Sequence, residues 1–217
     1  RSIYTLKEQG LEGINFTGGE PLLRKDIPEL VRYSKSLGLT TILTTNGILL
    51  ERKLEEMADS LDFVGLPIDS SDPAVHNLLR PTPAVDDHYR LVHELIDIMN
   101  KDYARIGIKI NTVVTGQNKD TIIGIGERIQ GKTVAWKLSH FVASGYGKNF
   151  REKFDVPVGE YLRLVEECRS TYPGQNIVDA VAHDCDEGCR VISPEGQLQM
   201  PTSTGLVSIG DLTTLSR

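Results

Sequence analysis

An alternation of short strands with amphipathic helices runs through the first two thirds of the chain and limits the folds open to it. Strands are predicted where β-branched and aromatic residues alternate with polar ones, and helices where apolar residues recur every three or four positions. The predicted strands are 14–17, 40–44, 63–68, 106–114 and 134–142, and the first four are followed by helices at 27–37, 51–61, 85–103 and 119–129. Such alternation favours parallel strands joined by right-handed crossovers, so the fold class is α/β.

The two ends of the chain decide how many strands the sheet is expected to have. The first residue is Arg1 rather than methionine, and the predicted helix 3–9 has no strand before it. We therefore expect a first strand upstream of Arg1, which makes residues 1–145 a partial (βα)6 barrel. Residues 146–217 are expected to form an extension over the mouth of the barrel, with a helix at 158–172 and a β-hairpin at 191–200. An open sheet of flavodoxin type is the alternative.

Charge and composition exclude several classes of protein. No apolar run approaches the ~20 residues that a membrane-spanning helix needs, and no signal peptide is visible. A net charge of −6 disfavours nucleic acid as a partner, so an anionic ligand would need a local basic pocket. Three cysteines are too few for a disulfide framework. We therefore expect a cytoplasmic protein that engages neither nucleic acid nor membrane.

The segment 14–23 ends its strand in a way that is typical of ligand-binding loops. Gly18, Gly19, Glu20 and Pro21 directly follow the first predicted strand. Ligands of α/β folds lie at the carboxyl ends of the strands, and paired glycines let a ligand approach the backbone. The Glu20 carboxylate can accept hydrogen bonds from a cationic amine. An ordinary strand-to-helix turn is the alternative.

The predicted interior of the barrel is polar. By strand alternation, the residues that face inward include Asn15, Asp69, Lys109, Asn111 and Lys137, whereas Ile106, Ile108, Ile110, Val134, Trp136 and Leu138 face the helices. Purely structural barrels fill this space with branched apolar side chains. Buried lysines are costly unless a partner satisfies them, and an anionic ligand is the simplest partner. Internal salt bridges to Asp69 or Glu20 are the alternative.

The stretch from Ile14 to Leu23, with its Gly18-Gly19-Glu20-Pro21 core, resembles the GGEP segment of radical S-adenosylmethionine (SAM) enzymes. In that family, which has a partial-barrel fold, this loop holds the methionine amino group of SAM. The resemblance implies SAM and a 4Fe-4S cluster as cofactors. The Cys-x3-Cys-x2-Cys motif that binds the cluster in the family does not occur in these residues, so its ligands are expected upstream of Arg1.

Under this resemblance, polar residues at successive strand ends form a SAM pocket. Thr45 and Asn46 suit the ribose or methionine groups, and Asp69 and Ser70 suit ribose hydroxyls. Arg80, in a stiff proline loop, suits the methionine carboxylate. The cofactor-binding set is therefore Gly18, Gly19, Glu20, Pro21, Thr45, Asn46, Asp69, Ser70 and Arg80. For each residue alone, a solvated loop is an equal alternative.

Two later strands resemble those of viperin-like radical SAM nucleotide dehydratases. Lys109-Ile110-Asn111 and Ala135-Trp136-Lys137 look like the strands that hold the nucleotide triphosphate in that family. Ala135 stands where the family has arginine, which leaves the strength of binding and the choice of nucleotide open. Lys148 is a candidate for compensating charge, with a solvated loop as the alternative. The substrate-binding set implied is Asn15, Lys109, Asn111, Lys137 and Lys148.

The resemblance also implies a reaction, the dehydration of a ribonucleoside triphosphate by a lyase-type enzyme. In that family a 5′-deoxyadenosyl radical takes the C4′ hydrogen and the 3′-hydroxyl leaves as water. The 3′-deoxy-3′,4′-didehydro product is a chain terminator with antiviral use. A reductase or a flavodoxin-type electron donor is the implied partner. The alternatives are another radical SAM activity, such as peptide maturation or cofactor biosynthesis, and an inactive module that binds SAM or nucleotide.

Cys185 and Cys189 form the only close cysteine pair in the sequence. Two cysteines do not ligate a second cluster by themselves, and their spacing fits no zinc motif. Free thiols are the favoured interpretation. The five scattered histidines suggest no metal site.

Overall fold

A sheet of six parallel strands organises the computed structural model, which describes residues 2–143, 149, 151–181, 190–193, 195–202 and 205–212. The strands are β1 (Gly13–Phe16), β2 (Thr40–Thr44), β3 (Phe63–Pro67), β4 (Gly107–Val114), β5 (Ala135–His140) and β6 (Ile177–Ala180). They lie in the order β1-β2-β3-β4-β5-β6, each parallel to the next. Right-handed crossovers in strictly sequential order put the helices on one face, whereas a flavodoxin-type sheet reverses its order part-way. The partial-barrel prediction is confirmed.

Most of the helices connect one strand of the sheet to the next. They are α1 (Ser2–Glu8), α2 (Ile27–Ser36), α3 (Leu50–Lys53), α4 (Pro73–Leu79), α5 (His88–Asp102), α6 (Ile123–Ile129), α7 (Arg151–Phe154) and α8 (Val158–Thr171). The predicted helix 51–61 contains only α3 and a 3-10 turn at Ala58–Ser60, although its apolar stripe is buried as expected. The predicted helix 119–129 begins as a 3-10 turn at Lys119–Thr121, and the side chain of the preceding Asn118 bonds to the backbone of Asp69, Val113 and Thr115.

The sixth strand of the sheet is β6, which the sequence analysis missed. This strand has only four residues and a single polar one, Asp179, so it carries too short a pattern to be recognised. Ile177 is buried and Val178 is exposed, as expected for a strand with one covered face. The strand predicted upstream of Arg1 is not one of the six and stays a prediction.

The core lies between the sheet and its helices. Ile108, Ile110, Trp136 and Leu138 are buried on this face, and the Trp136 indole N–H donates to Thr112 Oγ1 at 2.9 Å. The Tyr161 hydroxyl of α8 donates to the Leu138 carbonyl at 2.8 Å and accepts from the Ala180 N–H at 3.0 Å, which ties α8 to both β5 and β6. Burial raises the pKa of Tyr161 to about 12, so the hydroxyl remains a donor.

A second, antiparallel sheet contains β7 (Val191–Ile192), β8 (Gln197–Thr202) and β9 (Gly205–Asp211). β7 and β8 form the hairpin predicted at 191–200, and β9 adds a third strand with a register shift at Leu198/Gln199. The proposal that residues 146–217 cover the mouth of the barrel stays a prediction. Within the described residues, no helix is both long and apolar enough to cross a membrane.

Candidate functional site

The face of the sheet opposite the core carries a row of polar side chains at neighbouring register positions. Lys109 lies beside Gly65 and Ala135, and Asn111 lies beside Pro67 and Lys137. β4 alternates between buried and partly exposed residues along its whole length, which places Lys109 and Asn111 on this open face. The predicted inward orientation of Lys109, Asn111 and Lys137 is confirmed.

A cleft of about 370 Å³ opens on this face. Its lining is Phe63, Lys109, Asn111, Val134, Ala135, Lys137, Asn176 and Val178. The prediction that Val134 faces the helices is wrong: it is half-exposed and lines the cleft, because β5 begins only at the next residue and strand alternation does not extend to it. The cleft is therefore lined by two lysines, two asparagines and four apolar residues.

The two lysines of the cleft have no carboxylate partner among the described residues. The Lys109 ammonium lies 4.1 Å from the centre of the Phe63 ring, a cation–π contact. Burial, and then the charge of Lys137, lower the pKa of Lys109. The predicted alternative, in which Asp69 or Glu20 neutralises the lysines, fails because both carboxylates bind other groups: Asp69 pairs with Arg80, and Glu20 accepts from the loops around it. The cleft is therefore suited to an anionic ligand.

Gly65 gives the Asn111 side chain its place on the open face. A Cβ at Gly65 would lie 2.7 Å from Asn111 Nδ2 and 3.0 Å from Thr44 Oγ1. The Thr44 hydroxyl in turn donates to Asn15 Oδ1 at 3.0 Å. Asn15, Thr44 and Asn111 thus lie on the same face across four strands, in agreement with the predicted orientation of Asn15.

The loop after β1 places two glycines at the carboxyl edge of the sheet. Gly18 has a φ of +133°, a conformation that side chains rarely allow, and no atom lies within 4 Å of where a Cβ would be at Gly18 or Gly19. Both glycines are exposed, so their peptide groups are open to a ligand. Pro21 is buried and begins a 3-10 turn at Pro21–Leu23.

Glu20 links the loop after β1 to the loop after β2. Its Oε1 accepts from the Leu22 N–H at 3.0 Å and the Thr45 hydroxyl at 2.8 Å, and its Oε2 accepts from the Asn46 N–H at 2.8 Å. Thr45 is buried, and Asn46 Oδ1 accepts from the Ile48 N–H at 2.9 Å. Both residues thus shape the edge through local hydrogen bonds. Glu20 retains lone pairs, since a carboxylate accepts about four hydrogen bonds.

Asp69 and Arg80 meet at the next strand end. Arg80 Nε donates to Asp69 Oδ2 at 2.6 Å, and the nearly buried Asp69 also accepts from the Val113 N–H at 2.9 Å. The Arg80 side chain is about one third exposed and its terminal N–H groups bond to no described residue, so it can bind an anion. Ser70 differs from its predicted accessible position. It is fully buried, and its hydroxyl is shared with Thr121 because the residue points to the opposite side from Asp69.

Two buried histidines, which the sequence analysis did not single out, join these strand ends. The Asp69 N–H donates to His76 Nδ1 at 3.1 Å, His76 Nε2 lies 2.9 Å from His88 Nδ1, and His88 Nε2 lies 2.8 Å from the Asn46 carbonyl oxygen. The exposed fractions of the two residues are 0% and 3%. Neither residue belongs to a spacing pattern that marks a ligand site. Only their contacts reveal the pair.

The buried His76 is expected to make the folded protein less stable in acid. Burial first, and then the neighbouring His88 and Arg80, lower the pKa of His76 to about 3. The unfolded chain therefore binds a proton below pH ~6.5 that the folded chain does not, and stability falls as the pH falls from there towards 3. From His76 alone we expect a loss of about 2 kcal/mol between pH 7 and pH 5. Urea unfolding at both pH values measures it, and equal stabilities would contradict a neutral buried ring.

Metal-ligating side chains are dispersed within the described residues, where no group of three or more His, Cys, Asp or Glu could hold a metal ion. Cys168 is fully buried, and burial raises its pKa to about 12, so it is a core thiol. Cys185, Cys189 and Lys148 lie outside the described residues. The roles predicted for them stay predictions.

Comparisons with known proteins relate this arrangement to one family. The model of the radical SAM superfamily matches residues 1–129. An S-adenosylmethionine-dependent nucleotide dehydratase from Lacinutrix mariniflava is 34% identical over 164 residues, 72% of this chain and 33% of that protein. A GTP 3′,8-cyclase from Chlorobaculum tepidum is 36% identical over 124 residues, 55% of this chain and 36% of that protein. The chain thus spans about a third of the length of these curated relatives.

Among solved structures, the crystal structure of SuiB from Streptococcus suis matches 93% of this chain and 52% of that chain. The TM-score is 0.71 and the sequence identity 19%. This likeness concerns the fold, and it agrees with the partial barrel described above.

Proposed function

Because the chain belongs to the radical SAM superfamily, we propose that it is the SAM- and nucleotide-binding barrel of a radical SAM nucleotide dehydratase. The observation that carries the proposal is the pair of unneutralised lysines, Lys109 and Lys137, beside Asn111 in one cleft. A nucleoside triphosphate supplies the charge that these cations lack. The similarity to the nucleotide dehydratase of Lacinutrix mariniflava supports the same substrate class.

The residues at the carboxyl edge fit the amino-acid part of SAM. The exposed peptides of Gly18 and Gly19 and the remaining lone pairs of Glu20 suit its ammonium group. The terminal N–H groups of Arg80, oriented by Asp69, suit its carboxylate. When bound, SAM and the 4Fe-4S cluster would supply the 5′-deoxyadenosyl radical. The described residues include no ligand set for the cluster, so we assign it none of them.

The substrate would be positioned by its phosphates. Lys109 and Lys137 bind the phosphate oxygens, and Asn111 donates from the amide that Gly65 leaves room for. Phosphates held on the open face would direct the sugar towards the carboxyl edge of the sheet, where the loop after β1 lies. Loss of the C4′ hydrogen and of the 3′-hydroxyl as water then requires one further electron and one proton, for which a reductase or flavodoxin-type donor is the proposed partner. In this reaction the chain positions the substrate and excludes water from the reacting groups.

A second candidate is cyclisation of a nucleoside triphosphate. The similarity to the GTP 3′,8-cyclase of Chlorobaculum tepidum favours it, and the same two lysines would hold the phosphates. The two reactions are distinguished by their products, because dehydration removes one water from the nucleotide whereas ring closure between two carbons of the nucleotide does not.

The test is an anaerobic assay with each nucleotide in turn. The full-length protein, cluster ligands included, is reconstituted with iron and sulfide, reduced with dithionite, and given SAM with CTP, UTP, GTP or ATP. We expect one nucleotide to stimulate release of 5′-deoxyadenosine and to yield a product lighter by one water. A product that retains this water would favour the cyclase, and no stimulation by any nucleotide would contradict both candidates. Reactions without nucleotide and without SAM are the controls.

A further inference from the structure

We propose that His76 and His88 are positioning residues for SAM. They form a relay of two neutral imidazoles that holds the loop after β2 at a fixed distance from the loop after β3. The inference rests on the proposed function, because it assigns the relay to the site in which SAM would bind. Neither residue lines the cleft, so the relay acts through the groups that it connects.

The direction of every hydrogen bond in the relay is determined by its two ends. The Asp69 N–H can only donate, so His76 Nδ1 accepts and the ring carries its proton on Nε2. That proton is donated to His88 Nδ1, which leaves the His88 proton on Nε2. His88 Nε2–H then donates to the Asn46 carbonyl, which can only accept. One tautomer of each ring satisfies all three contacts, and both rings are neutral.

The relay lies between the two charged groups proposed to bind the ends of the methionine part of SAM. The Asn46 backbone is held on both sides of its Cα, since its N–H donates to Glu20 and its carbonyl accepts from His88. At the other end, Asp69 donates its N–H to His76 and orients Arg80 with its carboxylate. The relay thus completes a chain of hydrogen bonds from Glu20 to Arg80. The distance between an amine site and a carboxylate site depends on this chain.

The surroundings of the rings favour the neutral relay. The two planes lie within 8° of each other, and the Tyr89 ring meets His76 edge-on at 5.6 Å. Burial lowers the pKa of both histidines. Protonation of either ring would set two N–H donors against each other, so the low pKa keeps the relay intact at neutral pH.

The experiment compares two substitutions that break different links. In His88→Asn the side chain ends near Nδ1 and does not reach the Asn46 carbonyl, whereas the amide N–H of His88→Gln reaches the position of Nε2. We expect His88→Asn to weaken SAM binding about tenfold while nucleotide affinity stays within about twofold. His88→Gln should restore SAM affinity to within about threefold of the original. Both affinities are measured by calorimetry on the reconstituted protein.

A histidine on the same helix provides the matched control. His93 lies one turn beyond the relay, and its Nε2 has no hydrogen-bond partner among the described residues. His93→Asn should therefore leave SAM affinity unchanged. If His88→Asn does not fold, His76→Asn takes its place, because it keeps an acceptor for the Asp69 N–H and loses the link to His88.

Several outcomes would overturn the relay. SAM affinity unchanged in His88→Asn, or in His76→Asn where His88→Asn does not fold, would do so, as would a parallel loss of SAM and nucleotide affinity, which indicates general disorder. NMR of the ring nitrogens in the unsubstituted protein should show the Nε2–H tautomer for both histidines, and the other tautomer would contradict the assignment. Unsubstituted protein that binds SAM while His88→Asn binds equally well overturns the relay alone. Unsubstituted protein that binds no SAM overturns the proposed function as well.

Discussion

Lys137→Ala is expected to lower nucleotide affinity about 10- to 100-fold while SAM affinity stays within about twofold. Lys137 lies on β5 directly beside Asn111, and among the described residues it has no carboxylate partner. Removing it would therefore delete the proposed charge-assisted hydrogen bond to phosphate without exposing an unpaired acid. Such bonds contribute about 1.5–3 kcal/mol. Calorimetry with the nucleotide selected in the anaerobic assay, and separately with SAM, measures the two affinities.

A lysine in the turn before β5 provides the control for Lys137. Lys132 precedes β5, and its ammonium pairs with Asp97 at 2.8 Å on an exposed surface. Lys132→Ala should change neither affinity, because an exposed ion pair contributes little. Equal loss of SAM and nucleotide affinity in Lys137→Ala would contradict the assigned geometry, in which the two ligands occupy different parts of the barrel.

The cleft could be predicted from the sequence because strand alternation is strict. In β4, a side chain two positions along must lie on the same face, so Lys109 and Asn111 were placed correctly by counting alone. The same counting failed at Val134, which lies just before its strand begins. The alternation of side chains therefore predicts faces within a strand and fails at the residue that precedes it.

The hydrogen-bond partners at the carboxyl edge could not be predicted in this way. Asp69 and Arg80 are far enough apart in the sequence that no helical or strand spacing pairs them, yet they form one ion pair. Glu20 was expected to bind a ligand amine, and its three protein donors come from its own turn and from the loop after β2. These contacts depend on how loops from different strands meet, which composition and periodicity do not encode.

Glu20→Gln is expected to weaken SAM binding about 10- to 100-fold. The carboxylate accepts from the Leu22 N–H, the Thr45 hydroxyl and the Asn46 N–H. A glutamine amide has one oxygen, so in either orientation its NH2 group meets a backbone N–H and one donor is left without an acceptor. The substitution also removes the negative charge proposed to bind the SAM ammonium. Calorimetry with SAM on the reconstituted variant measures the loss.

A carboxylate away from the proposed amine site provides the control for Glu20→Gln. Glu29, in the first turn of α2, is an exposed acid, and Glu29→Gln should leave SAM affinity unchanged. Nucleotide affinity should also survive in Glu20→Gln, since Glu20 does not line the cleft of Lys109 and Lys137. Together with Lys137→Ala, this gives two variants that each lose a different ligand. If Glu20→Gln retained full SAM affinity, the loop after β1 would not be the amine site, and the geometry from Glu20 to Arg80 would have to serve another ligand.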